Sequence, residues 1–213
     1  LSEDLENAIN GGASLEDAVR DVVKQAYDAN KQVCFSGDNY ADEWHAEAER
    51  RGLKNLRTTP DALPAILDEQ TVTLFGNYGV LNERELESRF EVFAEQYVTK
   101  LNIEAETAAS LARTQILPAA VRQLNELKAS GLEAIAAEVA PVIERFHGAI
   151  LKLEQVNCDH PEEGTPILEY ATYMRDQVIP AMNATREIAD QLERLIADDL
   201  WPLPKYEEML FIK

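Results

Sequence analysis

Histidine and cysteine are scarce in this chain, three and two among 213 residues. Three imidazoles leave few candidates for a general base at neutral pH. Two cysteines far apart, Cys34 and Cys158, provide no disulfide framework and no paired metal-ligand spacing. The expectation is two free, buried thiols in a cytoplasmic protein. Basic residues are outnumbered, 20 against 39 acidic, for a net charge of −19. They are interleaved with acids throughout. Phosphate binding relies on clustered Lys and Arg, so no nucleic-acid partner is expected, and an anionic membrane surface is disfavoured likewise. No apolar run approaches the ~20 residues of a membrane span. The first ten residues contain Glu3, Asp4 and Glu6, unlike a signal peptide, which starts basic and turns apolar. Gly-x-x-x-x-Gly-Lys-[Ser/Thr], Gly-x-Gly-x-x-Gly and Gly-x-Ser-x-Gly are all missing. The chain starts at Leu1 without methionine, as expected of a processed chain or a piece of a longer polypeptide.

What is present is helical patterning. Leu132, Val139, Phe146 and Leu153 repeat every seven residues, accompanied by Ile135, Val142, Ala149 and Val156. Further on, Ala171, Val178, Thr185 and Leu192 repeat likewise, with Met174, Ala181, Ile188 and Leu195. Such registers belong to helices that pack lengthwise against other helices. They describe a scaffold and carry no chemistry.

Helix punctuation runs along the whole chain. A helix over residues 1–10 ends at Gly11-Gly12, and Ser14 with Asp17 opens a second that stops near Asn30. Gln32 to Phe35 reads as a strand or an extended segment. The turn Ser36-Gly37-Asp38-Asn39 follows, then a helix over 40–51 anchored by Trp44 and closed by Gly52. Thr59-Pro60 predicts a helix start with the hydroxyl at the cap, cut short by Pro64. Residues 69–78 form a further short helix. Asn82 caps a long one, with Glu83 and Glu85 at its positive end. Its expected apolar face is Leu86, Phe90, Phe93, Tyr97, Leu101, Ala105, Ala108, Ala112, Ile116, Val121, Leu124 and Leu127. With no stop before Ser130-Gly131 it should run roughly 70 Å, bent at Pro118. Helices over 132–156 and 165–199 follow, containing Pro141 and Pro180 and separated by the polar loop 157–164.

Candidate chemical constellations resolve toward plain readings. A di-iron bundle needs two inward Glu-x-x-His motifs. Only Glu144 with His147 fits, and the register above points both outward; Asp42 with His45 lies on a different helix. Cys158, His160, Glu162 and Glu163 lack the paired spacing of a zinc site and read as a solvated loop. Asp42, Glu43, Glu47 and Glu49 read as a solvated helix face, and Gly37-Asp38 as a turn.

One stretch is more specific. VCFSGDNYADEWHAEAERRGLKNLRTTPDALPAI, starting at Val33, resembles the segment that follows the catalytic domain in type III glutamine synthetases. The resemblance continues through YGVLNERELESRFEVFAEQY, NIEAE and QILPAA to DDLWPLP and the following Tyr206, Met209, Leu210 and Phe211. It covers the chain from about residue 31, and the earlier residues fit the junction to the catalytic domain. Asn39 departs from the family, which has glycine there; Asn tolerates positive φ, so the turn is expected to persist.

The resemblance implies a C-terminal domain of an enzyme that makes glutamine from glutamate, ammonia and ATP. It implies ATP and a divalent metal (Mg or Mn) for the parent enzyme, bound in the catalytic barrel. None of those motifs occurs here, so no catalytic, cofactor-binding or metal residue is expected in this chain. The expected fold is mostly all-α, a bundle of long antiparallel helices preceded by a small helical subdomain, with at most one short strand. Residues 1–81 would form the N-terminal subdomain, 82–200 the bundle and 201–213 an apolar tail docking on the domain or a neighbour. Expected partners are the catalytic domain of the same polypeptide and further copies in a homo-oligomer. Candidate interface residues are Tyr40, Trp44, Trp201, Met209, Leu210 and Phe211. The alternative is a freestanding helical interaction domain.

Overall fold

The computed structural model describes residues 1–162 and 164–210, without the side chains of Tyr206 and Glu207. Among these residues it is all helix and turn, with no strand. Lys31–Val33 forms a single 3-10 turn and Cys34 is extended, so the Gln32 to Phe35 run enters no sheet. Neither thiol is buried: Cys34 and Cys158 are both exposed, because each falls where a helical segment gives way to a loop. The backbone divides into two compact units, residues 1–56 and 57–213.

The first unit pairs α1 (Ser2–Asn10) with α2 (Leu15–Asn30) and continues to α3 (Asp42–Arg50). Ser14 caps α2, its Oγ accepting from the Asp17 amide at 3.1 Å. Gly52, at φ +72°, closes α3 and lets the Leu53 amide reach the Ala48 carbonyl at 2.9 Å. Asn39 does not use positive φ. The turn is held instead by Asp38, whose Oδ1 accepts from the Tyr40 amide at 2.9 Å.

The second unit contains the bundle. α4 (Thr59–Ala62) is capped by Thr58, one residue earlier than the sequence predicts. A 3-10 turn at Leu63–Leu67 and α5 (Glu69–Asn77) then pack on α6 (Glu83–Leu111). The Asn82 cap is reciprocal: its Oδ1 accepts from the Glu85 amide at 3.0 Å while Glu85 accepts from the Asn82 amide at 2.8 Å. Asn82→Ala should therefore cost about 1 kcal/mol of bundle stability by urea denaturation.

Two of the proline positions are resolved by a device the sequence pattern does not show. α6 leads through a π-helical turn, Ala112–Ile116, into α7 (Leu117–Ala129). α9 (Ile167–Tyr173) leads through another, Met174–Val178, into α10 (Ile179–Glu193). Pro118 and Pro180 each follow their wide turn by two residues. A proline ring collides with the carbonyl four residues back and offers no amide; widening the preceding turn relieves both. The rod from 83 to 129 thus stays helical to its end. α8 (Glu133–Cys158) carries Pro141 without such a turn.

α8 packs against α6, α7 and α10. Phe146, Ile150, Val139 and Ile143 meet Ala112, Ile116, Ala120, Leu192 and Ile196 in one cluster. Leu153 and Val156 meet Val98, Ala105, Ala109, Ala171, Met174 and Val178 in a second. The seven-residue period of α8 holds from Val139 through Leu153, although Leu132 is 48% exposed. Its companion row is displaced except at its last member, Val156, which is buried. Ala136, Ile143 and Ile150 are buried, whereas Ile135 is 45% exposed and Val142 and Ala149 are only partly covered. On α6 and α7 the predicted Phe93 and Val121 are exposed, and Ala94, Ala109, Ala119 and Ala120 are buried instead. Small side chains at those positions let the rods approach closely. In the last rod, Ala171, Val178, Thr185 and Leu192 are all buried as expected. The Thr185 hydroxyl donates to the Ala181 carbonyl at 2.9 Å. Beyond Glu193 the chain leaves the helix, so Ile196 turns inward and Leu195 outward.

Ion pairs tie the short elements to the rods. Arg175 reaches Asp61 Oδ1 and Asp176 Oδ1, both at 2.6 Å. Its guanidinium is held further above its ordinary value, chiefly by the hydrogen bonds to Asp176, which in turn keep the Asp176 carboxyl low.

Candidate functional site

The Val33–Leu56 stretch folds into a stapled loop. Phe35 comes from the loop and Trp44 from α3, their rings 4.4 Å apart. Arg51, just past α3, lies over both, its guanidinium 5.6 Å from the Phe35 ring centre and 5.8 Å from that of Trp44. The same group donates to the Cys34 carbonyl at 2.6 Å and the Gln32 carbonyl at 3.2 Å. It also meets Glu47 at 2.5 Å. Gly37 completes the arrangement: a Cβ there would sit 2.5 Å from the Phe35 ring, so any side chain would push that ring away. The fork of arginine, two carbonyls and a carboxylate fixes the loop to the helix. Tyr40 is left 96% exposed at its tip, and Trp44 is half-buried within the staple.

Glu47 accepts from Arg50 and Arg51 at once. Those hydrogen bonds, the Arg50 one first, lower its carboxyl from 4.5 to about 2. The folded chain binds this proton more weakly than the unfolded chain does. The stabilisation is therefore present above about pH 4.5 and lost as pH falls toward 2. The Trp44 emission midpoint in urea should fall through that window, and Glu47→Gln should flatten the dependence.

Two concavities of the bundle bring together residues from several elements. The apolar one, about 400 Å³, is lined by Ala108, Ile116, Met182, Ala189, Trp201 and Met209 among others. Trp201 and Leu203 pack on the Phe146 cluster, and the segment is tethered by Lys205 Nζ to Asp198 at 2.6 Å. The Ala197 amide adds a bond to Gln123 Oε1 at 3.0 Å. Met209 and Leu210 are 58% and 83% exposed; Phe211 lies outside the described residues.

The polar concavity, about 530 Å³, is lined by Asn102, Glu106, Ser110, Glu154, Asn157, Cys158, His160 and Tyr170. Glu154 is forked by Arg113 from the neighbouring rod. The bond lowers the Glu154 carboxyl and raises the Arg113 guanidinium. His160 stacks on Tyr170 at 5.6 Å, whose phenol is pushed up by burial.

Of the candidate constellations of the sequence, Cys158 and His160 share the polar concavity and Glu47 joins the staple, while Glu144 and His147 are not among these residues. Glu144 and His147 are exposed on α8, and Asp42 and Glu162 are exposed as well. His45 is half-buried on α3, while Glu163 lies outside the described residues. Among the described residues no three His, Cys, Asp or Glu side chains converge as metal ligands. No helix among them is long and apolar enough to cross a membrane.

A family model described as "Glutamine synthetase C-terminal domain" matches residues 18–134, a stretch holding both the stapled loop and the first long rod. The chain belongs to the glutamine synthetase C-terminal domain family. It is similar to the type-3 glutamine synthetase of Dictyostelium discoideum, 30% identical over 94% of this chain and 30% of that protein. It is similar also to the glutamine synthetases of Butyrivibrio fibrisolvens, 31% identical over 94% and 30%, and of Bacteroides fragilis (strain YCH46), 31% over 95% and 30%. The chain therefore spans about 30% of the length of the curated relatives it matches. Within this glutamine synthetase C-terminal domain, the staple is only half legible in the sequence. Trp44 and the Gly37-Asp38 turn stand out there, but nothing singles out Arg51 over Arg50 or pairs Phe35 with either.

Proposed function

We propose that this chain is the non-catalytic C-terminal domain of a type III glutamine synthetase, serving as a structural and subunit-contact element. In this reading the rest of the polypeptide performs the ATP-dependent ligation of ammonia to L-glutamate. ATP and Mg or Mn belong to that part. One observation carries the reading: the similarity extends over 94–95% of this chain yet only 30% of each relative. The role of a contact element is supported by Tyr40 and Leu210, large side chains left at 96% and 83% exposure. The setting is the cytoplasm and the assembly a homo-oligomer.

The test compares the full-length polypeptide with the 213-residue chain in glutamine formation from glutamate, ammonium and ATP with Mg or Mn. Activity is expected in the first and none in the second, with circular dichroism showing the isolated chain helical. Glutamine formation by the isolated chain would overturn the non-catalytic assignment. An upstream reading frame without a catalytic portion would overturn the parent enzyme.

A further inference from the structure

Helix α2 has more apolar surface than its own unit covers. Ala18 and Val22 are buried, at 2% and 7% exposure. Beside them Leu15, Val19, Val23 and Tyr27 recur every fourth residue and are 64%, 41%, 61% and 59% exposed. At about 100° per residue the two sets together span roughly half the helix circumference. The opposite side carries Asp17, Asp21, Lys24 and Asp28, so the amphipathic division is clean. The first unit fully buries only Ala18, Val22 and Ala48, too little apolar area to account for such a face. A contiguous exposed stripe with a charged reverse side marks a contact surface.

We propose that this stripe is the surface by which the domain docks on the preceding part of its own polypeptide. The inference rests on the chain being the C-terminal part of a longer synthetase. The family match is to a C-terminal domain, and the relatives extend well beyond the 30% of their length that is matched. That additional chain therefore precedes α2, within the unit nearest to it in sequence. A covalently joined neighbour is at high effective concentration, so a modest apolar stripe suffices to hold it. The docking face on the upstream part is correspondingly apolar.

The experiment is maleimide labelling of two single-site variants, Val23→Cys on the stripe and Asp28→Cys on the charged side, read by mass spectrometry of the peptide carrying each substitution. In the full-length polypeptide Val23→Cys should react about tenfold more slowly than Asp28→Cys, because modification requires access. In the isolated 213-residue chain the two should react within about twofold of each other. Equal rates in the full-length polypeptide would overturn the proposal. Slow labelling of Val23→Cys in the isolated chain would also overturn it. If that slowing grew with protein concentration, a second copy covers the stripe; if not, this chain covers it itself. Glutamine formation by the same full-length sample judges the catalytic reading separately, so the two fail independently.

Discussion

Replacing Phe146 by alanine is expected to cost the bundle about 3–5 kcal/mol. Phe146 is fully buried where α8 meets the neighbouring rods and the non-helical segment carrying Ile196 and Trp201. Close-packed helices cannot collapse into the space that a ring vacates, so both transfer energy and cavity are lost. The two tryptophans allow a clean measurement: Trp201 packs on this cluster, whereas Trp44 belongs to the other unit. In a Trp44→Phe background, the urea midpoint read from Trp201 should fall sharply for Phe146→Ala. Phe93→Ala, at a ring 43% exposed, should cost less than about 1 kcal/mol. Equal losses at the two sites would contradict the packing described.

The second large effect is expected at Arg51. Its guanidinium satisfies two loop carbonyls, meets Glu47 and covers two rings. Arg51→Ala removes all of these together and leaves the loop without its tie to α3. A loss of about 2 kcal/mol in the first unit is expected, a large share for a unit with so small a core. Trp44 emission should shift to longer wavelength as the Phe35 ring departs. Arg51→Lys should recover little, because an ammonium cannot reach two carbonyls and a carboxylate in one plane. Arg50→Ala is the control: Arg50 shares Glu47 but is 71% exposed, and an exposed pair contributes little. Full recovery by lysine would show that charge alone matters at this position.

Much of the helical layout is legible in the sequence because it depends on local chemistry. Ser14, Asn82, Gly52 and Gly131 punctuate the helices where the sequence places them, since caps and left-handed turns involve only near neighbours. Thr58 takes the cap expected of Thr59; adjacent hydroxyls are locally equivalent, and the choice falls to Thr58 at a site where Arg175 also reaches it. The expectation of buried thiols fails at Cys34 and Cys158, because a cysteine's preference for the core yields when its segment ends a helix at the surface.

The candidate surfaces are less legible. Trp201 is expected from the sequence to dock on this domain or a neighbour, and it packs on the bundle's own core. The stripe on α2 looks in sequence like an ordinary apolar face, because a helix pattern shows which residues are apolar and not which of them find a partner. Motif order points to the family, but the staple that holds its signature loop depends on Arg51 reaching back 17 and 19 residues.

By itself the sequence determined a mostly helical chain, its main caps and stops, and a seven-residue apolar period in the last two rods. These follow from backbone geometry and spacing within a few turns. Only the tertiary structure decided which apolar row became the seam. On α8 the rows through Ile135 and Ala136 are both apolar, and the neighbouring rods accept Ala136, Ile143 and Ile150 while leaving Ile135 in water. It likewise decided that Pro118 and Pro180 are absorbed by wide turns within continuous rods. Burial is a property of two surfaces meeting, and a single strip of sequence specifies only one of them.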